Sequence, residues 1–135
     1  ALPGGGASGD SQINRTMFER LGGEVSESRP QHRASALIID GLFGAGLSRP
    51  LEGLGAELVE WTRRARAAGA RVLAVDVPSG IHGDTGEAHG AAMRADTTVS
   101  FVGVKCGLLT DSGRSHAGRI IVAPIGAPAR LLTDA

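Results

Sequence analysis

The sequence predicts an α/β layered domain built on a mostly parallel sheet, and three observations carry that prediction. Two short apolar runs, Ala36-Leu37-Ile38-Ile39-Asp40 and Arg71-Val72-Leu73-Ala74-Val75-Asp76-Val77, lack the alternation of a half-exposed strand. Strands covered on both faces read this way. Between them Leu54, Leu58, Trp61, Ala65 and Ala68 recur at helical spacing, and Gly69 ends the run. Residues 36–77 therefore form one β-loop-α-β unit with an expected right-handed crossover, and such units build layered α/β domains.

The remaining elements follow in order. Residues 1–9 read as a Gly-rich lead-in, because Pro3 and the repeated glycines do not repay their ordering entropy without partners. From Asp10 the pattern turns helical: Asp10 or Ser11 is a candidate cap, Ile13, Met17 and Leu21 recur every four residues, and Gly22-Gly23 stops the run. A polar connection through Ser28-Arg29-Pro30 leads to the first strand. Beyond Pro78 no helical pattern is expected before the strand Thr97-Thr98-Val99-Ser100-Phe101. Connections of that length are often functional. A Gly-rich segment over residues 103–118 precedes a last strand, Arg119-Ile120-Ile121-Val122-Ala123, and the tail from Pro124 reads as irregular or briefly helical.

Composition narrows the function. The 135 residues fit one domain, and 14 Lys and Arg balance 14 Asp and Glu, so no global field draws the chain to nucleic acid or an anionic membrane. A small-molecule partner is the expectation. No apolar run approaches the ~18 residues of a membrane helix. Cys106 is the one cysteine, which excludes an internal disulfide framework and a Cys-based zinc cluster, and points to a reducing, cytoplasmic setting.

In open parallel sheets ligands bind beyond the carboxyl ends of the strands. Both apolar strands end in Asp: Asp40 is followed by a loop with Gly41, Gly44 and Gly46, and Asp76 by Val77-Pro78-Ser79-Gly80. Glycines allow close backbone approach, so exposed N–H groups suit a phosphate, and Arg49 adds charge. An Asp at a strand end more often ties down its own loop, but two such loops in one unit favour a site. Gly44-Ala45-Gly46 is no dinucleotide fingerprint, since the third glycine would fall at Arg49.

These segments, Ile39-Asp40-Gly41-Leu42-Phe43-Gly44-Ala45-Gly46-Leu47 and Val75-Asp76-Val77-Pro78-Ser79-Gly80, resemble the YjeF N-terminal domain, the family of the NAD(P)H-hydrate epimerases. Further matches are Asp84-Thr85-Gly86, Ala95-Asp96-Thr97-Thr98-Val99-Ser100-Phe101, Lys105 before Gly107-Leu108, and Ala117-Gly118 leading to Ile125-Gly126. The resemblance spans residues 10–135. It implies a Rossmann-like three-layer αβα fold and interconversion of the R and S hydrates of NADH and NADPH. It also implies a potassium ion at Asp40 and Ser79, and contacts to the hydrated nucleotide from Gly44, Ala45, Gly46, Leu47, Ser48, Arg49, Pro50 and Asp76. Asp76 is the expected acid–base group, helping the hydroxyl leave as an acid and guiding water back as a base. A homodimer, and a dehydratase domain fused or separate, are the expected partners.

One departure stands beside these matches. The family's loop G-x-G-N-N-G-G-D-G, which follows its first strand, is absent, and residues 11–25 take the place of the family's next helix and short strand. The chain as given thus lacks the first β-loop-α unit. A non-catalytic interaction or assembly domain is the alternative that this departure raises, against which Asp40, Asp76 and Ser79 stand together for the enzyme. Lys105 is assigned no step. His32, His82, His89 and His116 lack metal spacing and read as exposed imidazoles, Trp61 as core or a subunit contact, and Cys106 as a buried or spectator thiol.

Overall fold

The computed structural model describes residues 9–26, 37–47 and 49–128. The lead-in over residues 1–8, the connection at Ser28-Arg29-Pro30, His32, Ala36, Ser48 and the tail beyond residue 128 lie outside the described residues. The chain packs as two units, residues 1–31 and 32–135.

The first unit holds helix α1, Asp10–Arg20. Gly9 takes the N-cap position with φ of 60° and no side chain caps the helix, so neither Asp10 nor Ser11 serves as predicted. Asp10 instead lies in the first turn, where its charge faces the positive end of the helix dipole. Gly22, at φ of 86°, ends the helix as expected.

The second unit is a four-stranded sheet in the order β1-β2-β3-β4, with β1 Leu37–Asp40, β2 Arg71–Val75, β3 Thr97–Phe101 and β4 Arg119–Ala123. Every pairing is parallel, which is the Rossmann-like α/β arrangement. Helix α2, Leu54–Ala67, joins β1 to β2, and α3, Asp111–Ala117, joins β3 to β4. The Gly-rich segment, to which the sequence reading assigns no element, contains α3 and a short 3-10 helix, Cys106–Leu109. Its apolar pattern is too brief to read as a helix; the Thr110 hydroxyl caps α3 by accepting from the Gly113 N–H at 3.2 Å.

Because the strand order runs in one direction, two right-handed crossovers place α2 and α3 on the same side. The sheet residues on that side, Asp40, Val72, Ala74, Thr98 and Ser100, are buried. On the other face Leu37 and Ile39 are 60% and 64% exposed, so β1 is covered on one face and not on both as predicted. The apolar run reflects the two-faced covering usual for parallel sheets, of which these residues carry one helical layer.

Small residues set the close approach of α2: Gly55, Thr62 and Ala65 are its buried positions, while Trp61 is only half-buried. Asp96, just before β3, ties three elements together. Its Oδ1 accepts from Arg66 Nη2 of α2 at 2.8 Å and its Oδ2 from the Val72 N–H of β2 at 2.8 Å. The Arg66 hydrogen bond, opposed by burial and aided by Val72, holds the Asp96 carboxyl below its ordinary range. Asp96→Asn is expected to cost about 1–2 kcal/mol in urea unfolding near neutral pH. A carboxylate with a depressed folded pKa contributes stability above its unfolded value and loses it as pH falls through the folded one. The gap between the two proteins therefore closes as pH drops below about 4.

Candidate active site

The carboxyl ends of β1 and β2 lie side by side, with Asp40 paired to Ala74 in register. Both strands release their loops at the same edge, so side chains 36 and 39 residues apart in sequence meet there. Asp40 is 2% exposed, and Ser79 binds it twice. The Ser79 N–H donates to Asp40 Oδ2 at 2.8 Å and the hydroxyl donates to Oδ1 at 2.6 Å. The same hydroxyl accepts from the Phe43 N–H at 3.0 Å and lies 3.2 Å from the Phe43 carbonyl oxygen. Burial pushes the Asp40 carboxyl up, and the Ser79 and Leu42 donors offset only part of that rise. Asp40 does tie down loops, its own and the neighbouring one. It is also a desolvated carboxylate bound by a hydroxyl that has a carbonyl oxygen at its other side.

Asp76 sits one residue past the end of β2 and adopts φ of 70°. The predicted strand through Val77 thus stops at Val75. The Asp76 N–H still reaches the Val99 carbonyl at 2.8 Å, and the left-handed step then turns its side chain away from the sheet pattern. Such a conformation costs of order 1–3 kcal/mol in a non-glycine residue and is concentrated at functional sites. Two donors meet its Oδ1: Lys105 Nζ at 2.5 Å and the Phe101 N–H at 3.2 Å. Lys105 Nζ also donates to the Phe101 carbonyl at 2.8 Å, which closes a ring of contacts at the ends of β2 and β3. Burial alone would raise the Asp76 carboxyl, but the Lys105 and Phe101 hydrogen bonds and the lysine charge outweigh it, and the group lies below the ordinary carboxylate range. Asp76 is therefore a carboxylate at neutral pH, competent as a base.

Gly44 joins the second loop to this carboxylate: a Cβ placed on Gly44 would stand 3.5 Å from Asp76 Oδ2. Phe43, Gly44, Gly46, Leu47 and Arg49 line a cavity of about 260 Å³ beside it. Within the loop Ala45 packs on the core cluster of Val77, Ile81, Leu108 and Ala117, and the Leu47 side chain is buried. These two anchor the loop, while Gly44, Gly46, Arg49 and Pro50 are exposed. Ser48 lies outside the described residues.

Of the remaining candidates, Cys106 is exposed, which leaves the spectator reading. His82 and His89 are half-buried and pack edge to face with ring centroids 5.4 Å apart, and His82 Nδ1 accepts from the Asp84 and Thr85 N–H groups. They brace the loop over residues 80–90. Among the described residues no group of three His, Cys, Asp or Glu side chains is placed to hold a metal, and no helix is long and apolar enough to cross a membrane. The residue whose part in the site its sequence position does not reveal is Lys105, 29 residues from Asp76.

Residues 3–107 match the family described as YjeF-related protein N-terminus. The chain belongs to the YjeF N-terminal family. It is similar to the NAD(P)H-hydrate epimerase of Limosilactobacillus fermentum, 53% identical over 87 residues, covering 64% of this chain and 40% of the relative. The NAD(P)H-hydrate epimerase of Levilactobacillus brevis is 46% identical over 92 residues, covering 68% of this chain and 41% of the relative. The Bifunctional NAD(P)H-hydrate repair enzyme Nnr of Thermofilum pendens is 46% identical over 98 residues, covering 73% of this chain and 18% of the relative. The aligned part thus spans about two fifths of these epimerases and less than a fifth of the bifunctional enzyme. This YjeF N-terminal chain carries the strand-end loops of Asp40 and Asp76 within the matched residues.

Proposed function

We propose that the chain carries the base and part of the nucleotide pocket of an NAD(P)H-hydrate epimerase, which inverts the hydroxyl-bearing ring carbon of hydrated NADH and NADPH. The observation that carries this reading is Asp76, whose Oδ1 accepts from Lys105 and the Phe101 N–H and whose Oδ2 lies beside Gly44 of the glycine-lined cavity. The names of the similar epimerases support it. Gly44 and Gly46 leave room for a nucleotide against the loop backbone, and Arg49 offers charge to its phosphates. The hydroxyl leaves a carbon bonded to the ring nitrogen, whose lone pair forms the C=N⁺ bond as water departs. Water then adds to the opposite face, and Asp76 takes its proton.

The donors at Asp40 fit a potassium ion in kind: a buried carboxylate, the Ser79 hydroxyl and the Phe43 carbonyl are all hard oxygen groups. Asp40 and Ser79 would hold it. Its charge would favour the ionised form of Asp40 and fasten the loops that follow β1 and β2. Balanced charge and small-molecule chemistry also fit a cytoplasmic homodimer, working with a dehydratase that the bifunctional relative's name suggests as a fused partner.

The test uses protein expressed from the full reading frame that contains this chain. A single hydrate epimer is incubated in ¹⁸O-labelled water, with and without potassium, and the epimers are separated chirally. The expected result is interconversion that depends on the protein, rises with potassium, and carries one labelled oxygen into each inverted product. No interconversion above the protein-free rate sinks the assignment, and inversion without label sinks the departure-and-return route.

A further inference from the structure

An inversion that proceeds by loss and return of water needs a proton on the departing oxygen as well as a base for the returning one. Asp76, whose Oδ1 accepts from Lys105 Nζ and the Phe101 N–H, is placed as the base for the returning water. The group next to it is an ammonium. Lys105 Nζ lies 2.5 Å from Asp76 Oδ1 and 2.8 Å from the Phe101 carbonyl oxygen, which uses two of its three donors. Its side chain stays 24% exposed and that of Asp76 20%, so the pair is reachable from outside. Oδ1 is occupied by Lys105 and Phe101, whereas Oδ2 lies on the side of the loop after β1, beside Gly44, and the Ala45 backbone also donates to this carboxylate.

We infer that Lys105 is the proton donor of the inversion and forms with Asp76 a two-group acid–base unit, an inference that rests on the epimerase reading above. The third N–H of Lys105 passes its proton to the hydroxyl oxygen on one face of the ring. The carbon–oxygen bond breaks with its electron pair on oxygen, water leaves, and the ring nitrogen's lone pair forms the C=N⁺ bond. Water then attacks the opposite face, that π pair returns to nitrogen, and Asp76 Oδ2 receives the proton that the attacking water releases. The pair is left as a neutral amine beside a carboxylic acid. Return of that proton from the carboxylic acid to the adjacent amine, through a water at the vacated N–H position, restores ammonium and carboxylate, so the balance closes with water as the only relay. The same unit run in reverse serves the other epimer, as an epimerase requires.

The decisive comparison is Lys105→Arg with Lys105→Met and Asp76→Asn, in protein from the full reading frame. Arginine keeps the charge beside Asp76 but does not release a proton in proteins. All three variants are expected to lose at least about 100-fold in turnover, the lower range for a positioned acid or base. The KM of Lys105→Arg for the hydrate should stay within about threefold of wild type, so that the loss lies in kcat. In Lys105→Ala, methylamine should restore turnover and methylguanidinium should not, which keeps the test open should arginine distort the site. Turnover of Lys105→Arg within threefold of wild type overturns the inference, as does equal rescue by the two cations or a loss carried by KM. In those cases Lys105 acts only through its charge on Asp76. Wild-type turnover in Asp76→Asn would instead exclude Asp76 as the base, and only a wild-type protein without interconversion above the protein-free rate would remove the epimerase reading itself, so the failures are distinguishable.

Discussion

Asp76→Asn is expected to lower turnover by about 10²–10⁴-fold while leaving affinity for the hydrated nucleotide nearly unchanged. The amide has the shape of the carboxylate, and Asn tolerates the left-handed backbone that this position adopts at φ of 70°. Lys105 keeps the Phe101 carbonyl as a partner, so the ends of β2 and β3 stay joined. What is lost is the ability to take a proton. Steady-state kinetics on a single epimer checks the split, and undiminished turnover would exclude Asp76 as the base. The pH dependence follows from the same geometry. The carboxyl of Asp76 lies below its ordinary range, so its base form is present at all pH values above that range and is lost only as pH falls through the depressed value. Between about pH 5 and 8 the wild-type rate should show no limb from Asp76.

The strands and the loops bearing Asp40, Asp76 and Ser79 were legible in the sequence because their signals are local. Non-alternating apolar runs mark parallel strands, and glycines after a strand-end Asp mark a loop at the binding edge. Helix α3 was not legible: its seven residues, DSGRSHA, set five short or helix-averse residues against two helix formers and depend on the Thr110 cap. The one-sided covering of β1 was missed for a related reason. An apolar run reports what a strand face is suited to meet, whereas the open face of Leu37 and Ile39 follows from a strand order that sends both crossovers to one side. The acid–base assignment was half legible. Asp76 stands at the expected edge, but its protonation state is set by Lys105 and the Phe101 N–H, which approach from the far end of β3. No spacing in the chain reports that contact.

A large effect on stability is expected at Gly80, the glycine beside the Asp40 site. Its φ is 97°, in the left-handed region, and a Cβ there would overlap the Ala91 carbonyl oxygen and stand 2.7 Å from the Ala92 Cα. These are backbone atoms of a segment fixed by the hydrogen bond of the Met93 N–H to the Ser79 carbonyl at 2.7 Å and of the His89 N–H to the Gly80 carbonyl at 2.9 Å. No side-chain rotation relieves the overlap. Left-handed strain of about 1–2 kcal/mol and overpacking of about 1–3 kcal/mol place the cost of Gly80→Ala at about 2–5 kcal/mol. Against a typical total stability of roughly 5–15 kcal/mol that is a large fraction. Gly41→Ala is the control, since nothing lies within 4 Å of its Cβ position and its backbone is not left-handed; its urea midpoint should move little. The effect should also reach the site. Ser79 precedes Gly80 and supplies two of the three donors to Asp40, so a displaced turn withdraws the N–H and the hydroxyl that hold that buried carboxylate. Gly80→Ala is therefore expected to blunt any response of turnover to potassium beyond its effect on folding. An unfolding midpoint equal to wild type would mean that residues 79–93 do not pack as described, and that the Asp40 site is more pliable than its burial suggests.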